Sequence, residues 1–394
     1  MIISIKKHAF LIGLTILVCC CGQNNENEGR EVVFDTSFAG ARLNRIQKIE
    51  ENRYMGFIFP ENEPINKSPW FAFGVSSIKE KEIELLLNYC DYKHRYIPKL
   101  STDRTTWKTI EASRIKVDTT TGIATLRLSV SPKPLYVAAQ EIETTKDTYR
   151  WMQGFLEKNP GIKKEMAGKT ALNNDNYVLI QEHEDVKNTL VLVARQHPPE
   201  IPGGTIGFKS FFETIFSDTQ LATEFRTNFN IYTFPLLNPD GVDAGNWRHN
   251  ANGVDLNRDW ISFSQPETQM VKKFMSEKIQ KGQKIRYAID FHTSHSGPYL
   301  LVLDAINEAK THKVTPQWIQ NIQAMTNIEV DARKRSQELP YCYNYFFNEL
   351  GAEAVTYEDG DEIDREVIKS RAKVYAEELM KVLLNKIKDG SFEN

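Results

Sequence analysis

Thr189-Leu-Val-Leu-Val-Ala-Arg-Gln-His197-Pro-Pro-Glu200 decides the fold. From Thr189 to Ala194 the run is apolar apart from its first threonine. A strand tolerates such a run only when both of its faces are covered, as in parallel sheets with helices on either side. The run then stops at an imidazole and a carboxylate three residues apart. In open α/β sheets, sites form beyond the carboxyl ends of the strands. His197 and Glu200 therefore stand where a site is expected.

Reading outward, strand and helix signals alternate. Tyr177–Gln181, Phe229–Leu237, Ile285–Phe291 and Ala354–Tyr357 read as further strands. Thr205–Ile215, Glu267–Gln280, Pro316–Met325 and Asp364–Lys386 read as helices. Thr144 or Thr145 is a plausible cap for another helix carrying Tyr149, Met152 and Phe155. Upstream the pattern changes. Pro69-Trp-Phe-Ala-Phe-Gly-Val75 and Ala124-Thr-Leu-Arg-Leu-Ser-Val130 carry strand-like alternation, separated by turn clusters such as Ser101–Thr106. The expected fold class is α/β: a mixed, mostly parallel sheet with helices on both faces, preceded by a smaller antiparallel β-sandwich. Ser131-Pro-Lys-Pro134 marks the boundary, giving a sandwich over residues 31–135 and a second domain over 136–394.

Composition excludes several classes. With 49 Lys and Arg against 52 Asp and Glu in 394 residues, no basic patch invites nucleic acid. At 41% hydrophobic the chain is not disordered. The N-terminus carries Lys6 and Lys7, then an apolar run from Ala9 to Val18, then Cys19-Cys20-Cys21. That is the pattern of a secretory signal, too short for an ordinary membrane span. It resembles a bacterial lipoprotein signal, with Leu17-Val18-Cys19-Cys20 fitting the lipid box best and Cys20 the lipidated residue; Cys21 is the alternative. Residues 1–20 are thus expected to be a signal and residues 21–30 a flexible, polar tether, which puts the chain on a bacterial envelope, at the periplasmic or the outer face. Only Cys90 and Cys342 remain; both are expected to be buried thiols without chemistry. No segment signals an oligomer, so a monomer is expected.

Five segments follow predicted strands and carry reactive groups, and a sixth ends one. His197-x-x-Glu200 has a spacing that turns an imidazole and a carboxylate toward one metal ion; alone it is a weak signal, more often a loop histidine and a helix-capping glutamate. Asn238-Pro-Asp-Gly241 by itself reads as a turn. Gly245-Asn-Trp-Arg248-His249-Asn250 and Gly253-Val-Asp255-Leu-Asn257-Arg258 place two guanidiniums and several amides in a short span, an anion site. Asp290-Phe-His292 ends an apolar strand where a third metal ligand can reach; His295 suits a supporting role better. Finally, Thr356-Tyr-Glu358 ends a short strand in a carboxylate.

In this order these motifs resemble the zinc metallocarboxypeptidases of the carboxypeptidase A type, family M14. Asn238–Trp260 looks closest to the cytosolic-carboxypeptidase branch, which also carries a leading β-sandwich. The resemblance implies that His197, Glu200 and His292 bind one zinc ion, leaving one position open. Asp255 would fix the tautomer of His197. Arg248 would hold the carbonyl oxygen as it becomes an oxyanion. Asn257 and Arg258 would grip the terminal carboxylate of a peptide, and Glu358 would be the general base. A substrate-covering tyrosine is expected among Tyr341, Tyr343 and Tyr345. The Pro198-Pro199 pair departs from the family pattern and stiffens the turn.

Two other readings stand beside this one. A zinc amidase would cut murein peptides or acyl-amino acids. A catalytically inactive binding lipoprotein would have lost a site residue, yet His197, Glu200, His292, Arg248 and Glu358 are all present. The acidic run Asp359, Asp361, Glu362, Asp364 reads as a solvated loop and helix start, or as an attraction for a basic substrate residue.

Overall fold

The computed structural model describes residues 31–307 and 312–392; the expected signal, the tether and Cys20 lie outside the described residues. Two five-stranded sheets face each other in the leading domain. One orders Val32–Asp35, Ala72–Ser77, Leu135–Ala138, Lys99–Ser101 and Lys108–Thr109; the other orders Arg45–Glu50, Arg53–Phe57, Lys81–Asn88, Ala124–Val130 and Ile115–Val117. Leu126, Leu128 and Val130 point inward between more exposed neighbours, packing with Phe71, Phe73 and Leu85.

Three expectations are corrected here. The sandwich is not wholly antiparallel: Arg53–Phe57 runs parallel to Lys81–Asn88, because the chain between them crosses to the other sheet and lays down Ala72–Ser77 before returning. The chain turns at Ser131–Pro134 but stays, adding Leu135–Ala138 between Ala72–Ser77 and Lys99–Ser101. Cys90 is exposed, at a left-handed turn position (φ 56°) after the Lys81–Asn88 strand; Cys342 is buried.

The second domain is built on an eight-stranded sheet in the order Lys163–Lys169, Asp175–Gln181, Asn230–Phe234, Asn188–Ala194, Lys284–Ser294, Glu353–Gly360, Tyr299–Leu303, Ala332–Arg335. Four neighbouring pairs are parallel, including the three at the centre. Asn188–Ala194 is the strand whose unbroken apolar run required two covers, and it has them. Leu190 and Leu192 pack with Phe291 and Tyr357 toward the helices Phe208–Ile215 and Arg365–Lys388. Val191 and Val193 pack on the other face with Trp260 and the helix Pro266–Gln280.

The helix expected over 205–215 begins instead as a π-helical turn, Pro202–Gly207, and becomes α-helical at Phe208. The turn lies against the Lys284–Ser294 strand. A Cβ at Gly203 would stand 1.8 Å from the His292 carbonyl oxygen, so only glycine allows this approach. The Gly203 amide donates to Thr293 Oγ1 at 2.8 Å. The loop that carries Glu200 is thereby fixed to the strand that carries His292.

The domains share a polar and apolar seam. Trp247, from the second domain, is fully buried within the sandwich core, edge-on to Tyr92 at 5.1 Å. Arg95 grips Asp361 bidentately, at 2.7 and 3.0 Å, and Lys99 reaches Glu362 at 2.6 Å. The acidic run is a helix start, as expected, but only Glu362 and Asp364 are exposed; Asp359 and Asp361 are buried and paired within the fold. Asp361 and Glu362 pair with the sandwich, Asp359 pairs with Arg371, and Asp364 caps the last helix.

Candidate active site

Arg195 makes the turn from strand to site. It adopts φ of 55°, and its buried guanidinium bonds the Pro198 carbonyl at 2.8 Å and the Thr205 hydroxyl at 2.6 Å. Burial lowers its pKa to about 10. These contacts pin both ends of the Pro198-Pro199 turn and present His197 and Glu200 side by side. His292 arrives from the neighbouring parallel strand, directly opposite Glu358 in the register of the next.

The three side chains converge. Nδ1 of His197 lies 2.7 Å from Glu200 Oε1 and 3.1 Å from Nδ1 of His292, which lies 2.6 Å from Glu200 Oε2. All three are buried. Each ring turns its other nitrogen to an aspartate: His197 Nε2 to Asp255 Oδ1 at 2.9 Å, and His292 Nε2 to Asp290 Oδ2 at 2.7 Å. A ring that donates through Nε2 presents a lone pair at Nδ1. Two such lone pairs facing one another beside a carboxylate make a hole for a cation. Two nitrogens on one tetrahedral zinc at 2.0–2.1 Å stand roughly 3.3 Å apart, close to the spacing found. The two nitrogens and one carboxylate fit zinc in chemistry as well as spacing.

The electrostatics match. Burial alone would raise Glu200, but the two imidazoles hold it well below the usual carboxylate range. Burial would lower His292, but Asp290 and Glu200 hold it well above the usual histidine value. Glu358 is different. Burial, with Glu200 and Asp290 nearby, outweighs His292 and Arg248 and pushes it to about 8. Its Oε2 is buried and has no hydrogen-bond partner among the described residues.

Arg248 donates from Nε to Asp255 Oδ2 at 2.6 Å, leaving its terminal nitrogens without a partner among the described residues. Arg258 stacks on the Tyr341 ring at 4.4 Å and lines the same cavity of about 680 Å³. Asn257 also lines it; its Oδ1 accepts from the Cys342 amide at 2.9 Å, while its Nδ2 lies 3.3 Å from His292 Nε2, a nitrogen that donates to Asp290, and so is not held there. Of the three candidate tyrosines only Tyr341 borders the cavity; Tyr343 and Tyr345 are buried in the core beside Trp260. His295 stands at the rim with its side chain exposed, 3.7 Å from Asp361. Asn238 is more than a turn. It caps the short helix Pro239–Asp243 and donates to the carbonyls of Gln196 and His249, tying the His197 strand to the Arg248 loop.

The profile of the zinc carboxypeptidases, Peptidase_M14, matches residues 148–383, which hold every one of these groups. The chain belongs to this family. A cytosolic carboxypeptidase 6 of Caenorhabditis elegans is 24% identical over 306 residues, covering 70% of this chain; the chain spans 65% of that relative's length. The crystal structure of a metallo-carboxypeptidase from Burkholderia cenocepacia superposes with a TM-score of 0.74 over 91% of this chain and 100% of its own, at 17% identity. A metallo-carboxypeptidase from Pseudomonas aeruginosa, in complex with (2-guanidinoethylmercapto)succinic acid, gives 0.73 over 90% and 99% at 19% identity. These two share the fold across both domains.

Within this zinc carboxypeptidase fold, sequence reasoning passed over Asp290. It lies two residues before His292, hence on the same face of the strand, and Gln196 donates to it at 2.8 Å. Carboxylates behind metal-bound histidines are worth 10- to 100-fold in metal affinity. Asp290→Asn is expected to weaken zinc binding by about that factor, read by competition with a chromophoric chelator. Unchanged affinity would show that the second nitrogen of His292 needs no carboxylate.

Proposed function

We propose that the protein is a zinc-dependent carboxypeptidase that removes the C-terminal residue of peptides. The observation that carries this reading is the juxtaposition of the His197–Glu200–His292 cage with Glu358, a half-buried carboxylate whose buried Oε2 has no partner among the described residues, in one cavity with Arg248 and Arg258. Zinc in that cage supplies Lewis-acid polarisation of a carbonyl and acidification of a water. Arg258, with the free hydrogen of the Asn257 amide, binds the terminal carboxylate. Tyr341 closes over it. That anchor places the last peptide bond, and no internal one, beside the cage. Arg248 offers its free terminal nitrogens to the carbonyl oxygen as negative charge develops there. Glu358 takes the proton of the attacking water and hands it to the leaving amine. The N-terminal signal supports export, and Cys20 a lipid anchor on a bacterial envelope.

The cavity's charge narrows the substrate. Lys67 and Arg335 line it from the two domains, and neither has a carboxylate partner among the described residues. With Arg248 and Arg258 they outnumber Glu200 and Glu358, so the field favours anionic chain ends. Peptides ending in acidic residues are expected to show higher kcat/KM than lysine-ending ones, with the gap shrinking as salt screens it. A preference independent of ionic strength would count against this.

The test of the reaction is hydrolysis of a mixed peptide library by residues 22–394, with and without a zinc chelator, read by mass spectrometry. The expected result is chelator-sensitive loss of single C-terminal residues. Zinc-loaded protein that leaves ordinary peptides intact but cuts murein peptides or acyl-amino acids would replace this reading with the amidase one.

A further inference from the structure

The segment that carries Arg248 is held from outside its own domain. Glu61, on the sandwich, places its carboxylate against three consecutive backbone amides: Trp247 at 2.7 Å, Arg248 at 2.9 Å and His249 at 2.6 Å. The Glu61 side chain is only 9% exposed. Three convergent N–H groups form an anion-binding nest, and bonds to an ionised acceptor are about twice as strong as neutral ones. The neighbouring Asn62 accepts through Oδ1 from His249 Nδ1 at 2.8 Å and donates to the Gly253 carbonyl at 2.9 Å. Arg42 bonds the Gly245 carbonyl and Asn246 Oδ1. Gly245 is left-handed (φ 64°), and a Cβ there would stand 2.6 Å from the Ala41 carbonyl oxygen. The path continues inward from the nest: Arg248 Nε to Asp255 at 2.6 Å, and Asp255 to His197 at 2.9 Å.

We propose that Glu61 is a positioning residue for Arg248, so that the sandwich domain sets where the charge on the reacting carbonyl oxygen is met. The rest of the seam does not need this arrangement to hold the domains together. Arg95 and Lys99 pair with Asp361 and Glu362, and Trp247 is sunk in the sandwich core. What Glu61 adds is a fixed height and tilt for one peptide unit and hence for the guanidinium it bears. A misplacement of about 1 Å in such a group can cost on the order of 100-fold in rate. The inference rests on the proposed role of Arg248 at the carbonyl.

The experiment compares Glu61→Ala and Glu61→Gln with Lys99→Met, which cuts a seam contact away from the nest. All are made in the zinc-loaded full chain, with zinc content and Tm recorded for each. The expected result for Glu61→Ala is a kcat about 10- to 100-fold lower, with KM within about threefold and zinc stoichiometric. Glu61→Gln, which keeps one acceptor oxygen, falls between it and wild type. A tetrahedral phosphinic peptide analogue loses affinity in step with kcat/KM, because Arg248 acts on the tetrahedral charge. Lys99→Met lowers Tm at least as much but leaves kcat near wild type. Hydrogen exchange of the 247–249 amides speeds up in Glu61→Ala, and its crystal structure shows the Arg248 guanidinium displaced from Asp255. The proposal is overturned if Lys99→Met loses as much kcat as Glu61→Ala. It is equally overturned if Glu61→Ala keeps kcat with Arg248 in place. If wild type cleaves no peptide while Glu61→Ala still displaces Arg248, the clamp stands and the proposed reaction is what fails.

Discussion

Glu358→Gln is expected to lower kcat by about 10³- to 10⁴-fold, the upper part of the range that proton transfer contributes, and to melt higher than wild type. Both effects come from one feature. The side chain is half-buried, its buried oxygen has no partner among the described residues, and its pKa is pushed to about 8. A general base works best with a pKa near the operating pH, and a divalent cation in the cage beside it pulls the value toward neutrality. Glutamine keeps the shape and cannot accept the proton. The stability change has the opposite sign. A carboxyl whose folded pKa exceeds its unfolded value of about 4.3 costs stability once pH rises above that unfolded value, and the cost is complete above the folded pKa. Glutamine removes it. In chelated protein the Tm advantage of Glu358→Gln should therefore be largest at pH 8 and above and vanish below about pH 4. Kinetics and calorimetry at matched zinc content check both halves. A variant that kept its turnover, or lost it together with zinc, would remove Glu358 from the role of base. A variant that melted lower would show that the site carries no stored cost at this residue.

How much of this was legible in the sequence follows from how local each signal was. The central strands announced themselves because an unbroken run such as Leu190–Ala194 has one structural meaning, and the reactive residues sat directly after them. The spacing of His197 and Glu200 was by itself a weak signal. Joining them to His292 and Glu358 rested on the resemblance carried by the ordered motifs, and the parallel register explains why those motifs meet. The two edge strands were missed for a physical reason. Lys163-Lys-Glu-Met-Ala-Gly-Lys169 and Ala332-Arg-Lys-Arg335 are mostly exposed and rich in charge. Such composition discourages an open sheet edge from pairing with another chain, and the same charges erase the apolar alternation that marks a strand. Contacts across the seam were illegible altogether. Nothing in the local pattern couples Glu61 to Arg248 or Arg95 to Asp361, since these pairs are set by how two separately patterned domains dock. The burial of Asp361 in the acidic run after Glu358 was missed for that reason: a carboxylate's partner 266 residues away leaves no trace in its neighbours. Asn257 shows a subtler limit. The resemblance implied a substrate contact for the whole side chain, while the fold spends its carbonyl on Cys342 and leaves only its amide for that role.

Stripping the metal is the other change with a large expected effect: peptidase activity falls below detection, yet the chelated protein stays folded and melts at a lower temperature. The reason it stays folded is the charge pattern of the cage. Without zinc, Glu200 lies between two imidazoles and each ring leans on its own aspartate, so the buried charges remain paired and the heavy penalty of an isolated buried charge does not arise. The pH dependence follows from the signs. His292 is held well above its ordinary value despite burial. Its contribution is fully present below the unfolded histidine pKa of about 6.5 and is lost as pH rises through the folded value. Glu200 is held well below its ordinary value despite burial. Its contribution is present above about pH 4.3 and is lost as pH falls through the folded value. Zinc needs the neutral imidazole, so it competes with the very proton that steadies the empty cage. Zinc affinity should therefore weaken as pH falls, by up to about tenfold per pH unit for one displaced proton. The rise in Tm on adding zinc should follow it, small near pH 5 and large near pH 8. At free zinc of about 1,000 times Kd the stabilisation is about 4 kcal/mol. For a chain of this size that corresponds to a shift on the order of 10 °C. Calorimetry of chelated and zinc-loaded protein from pH 5 to 9 reads this directly. A zinc shift that did not change with pH, or that survived intact in His292→Ala, would show that the ion is held somewhere other than this cage.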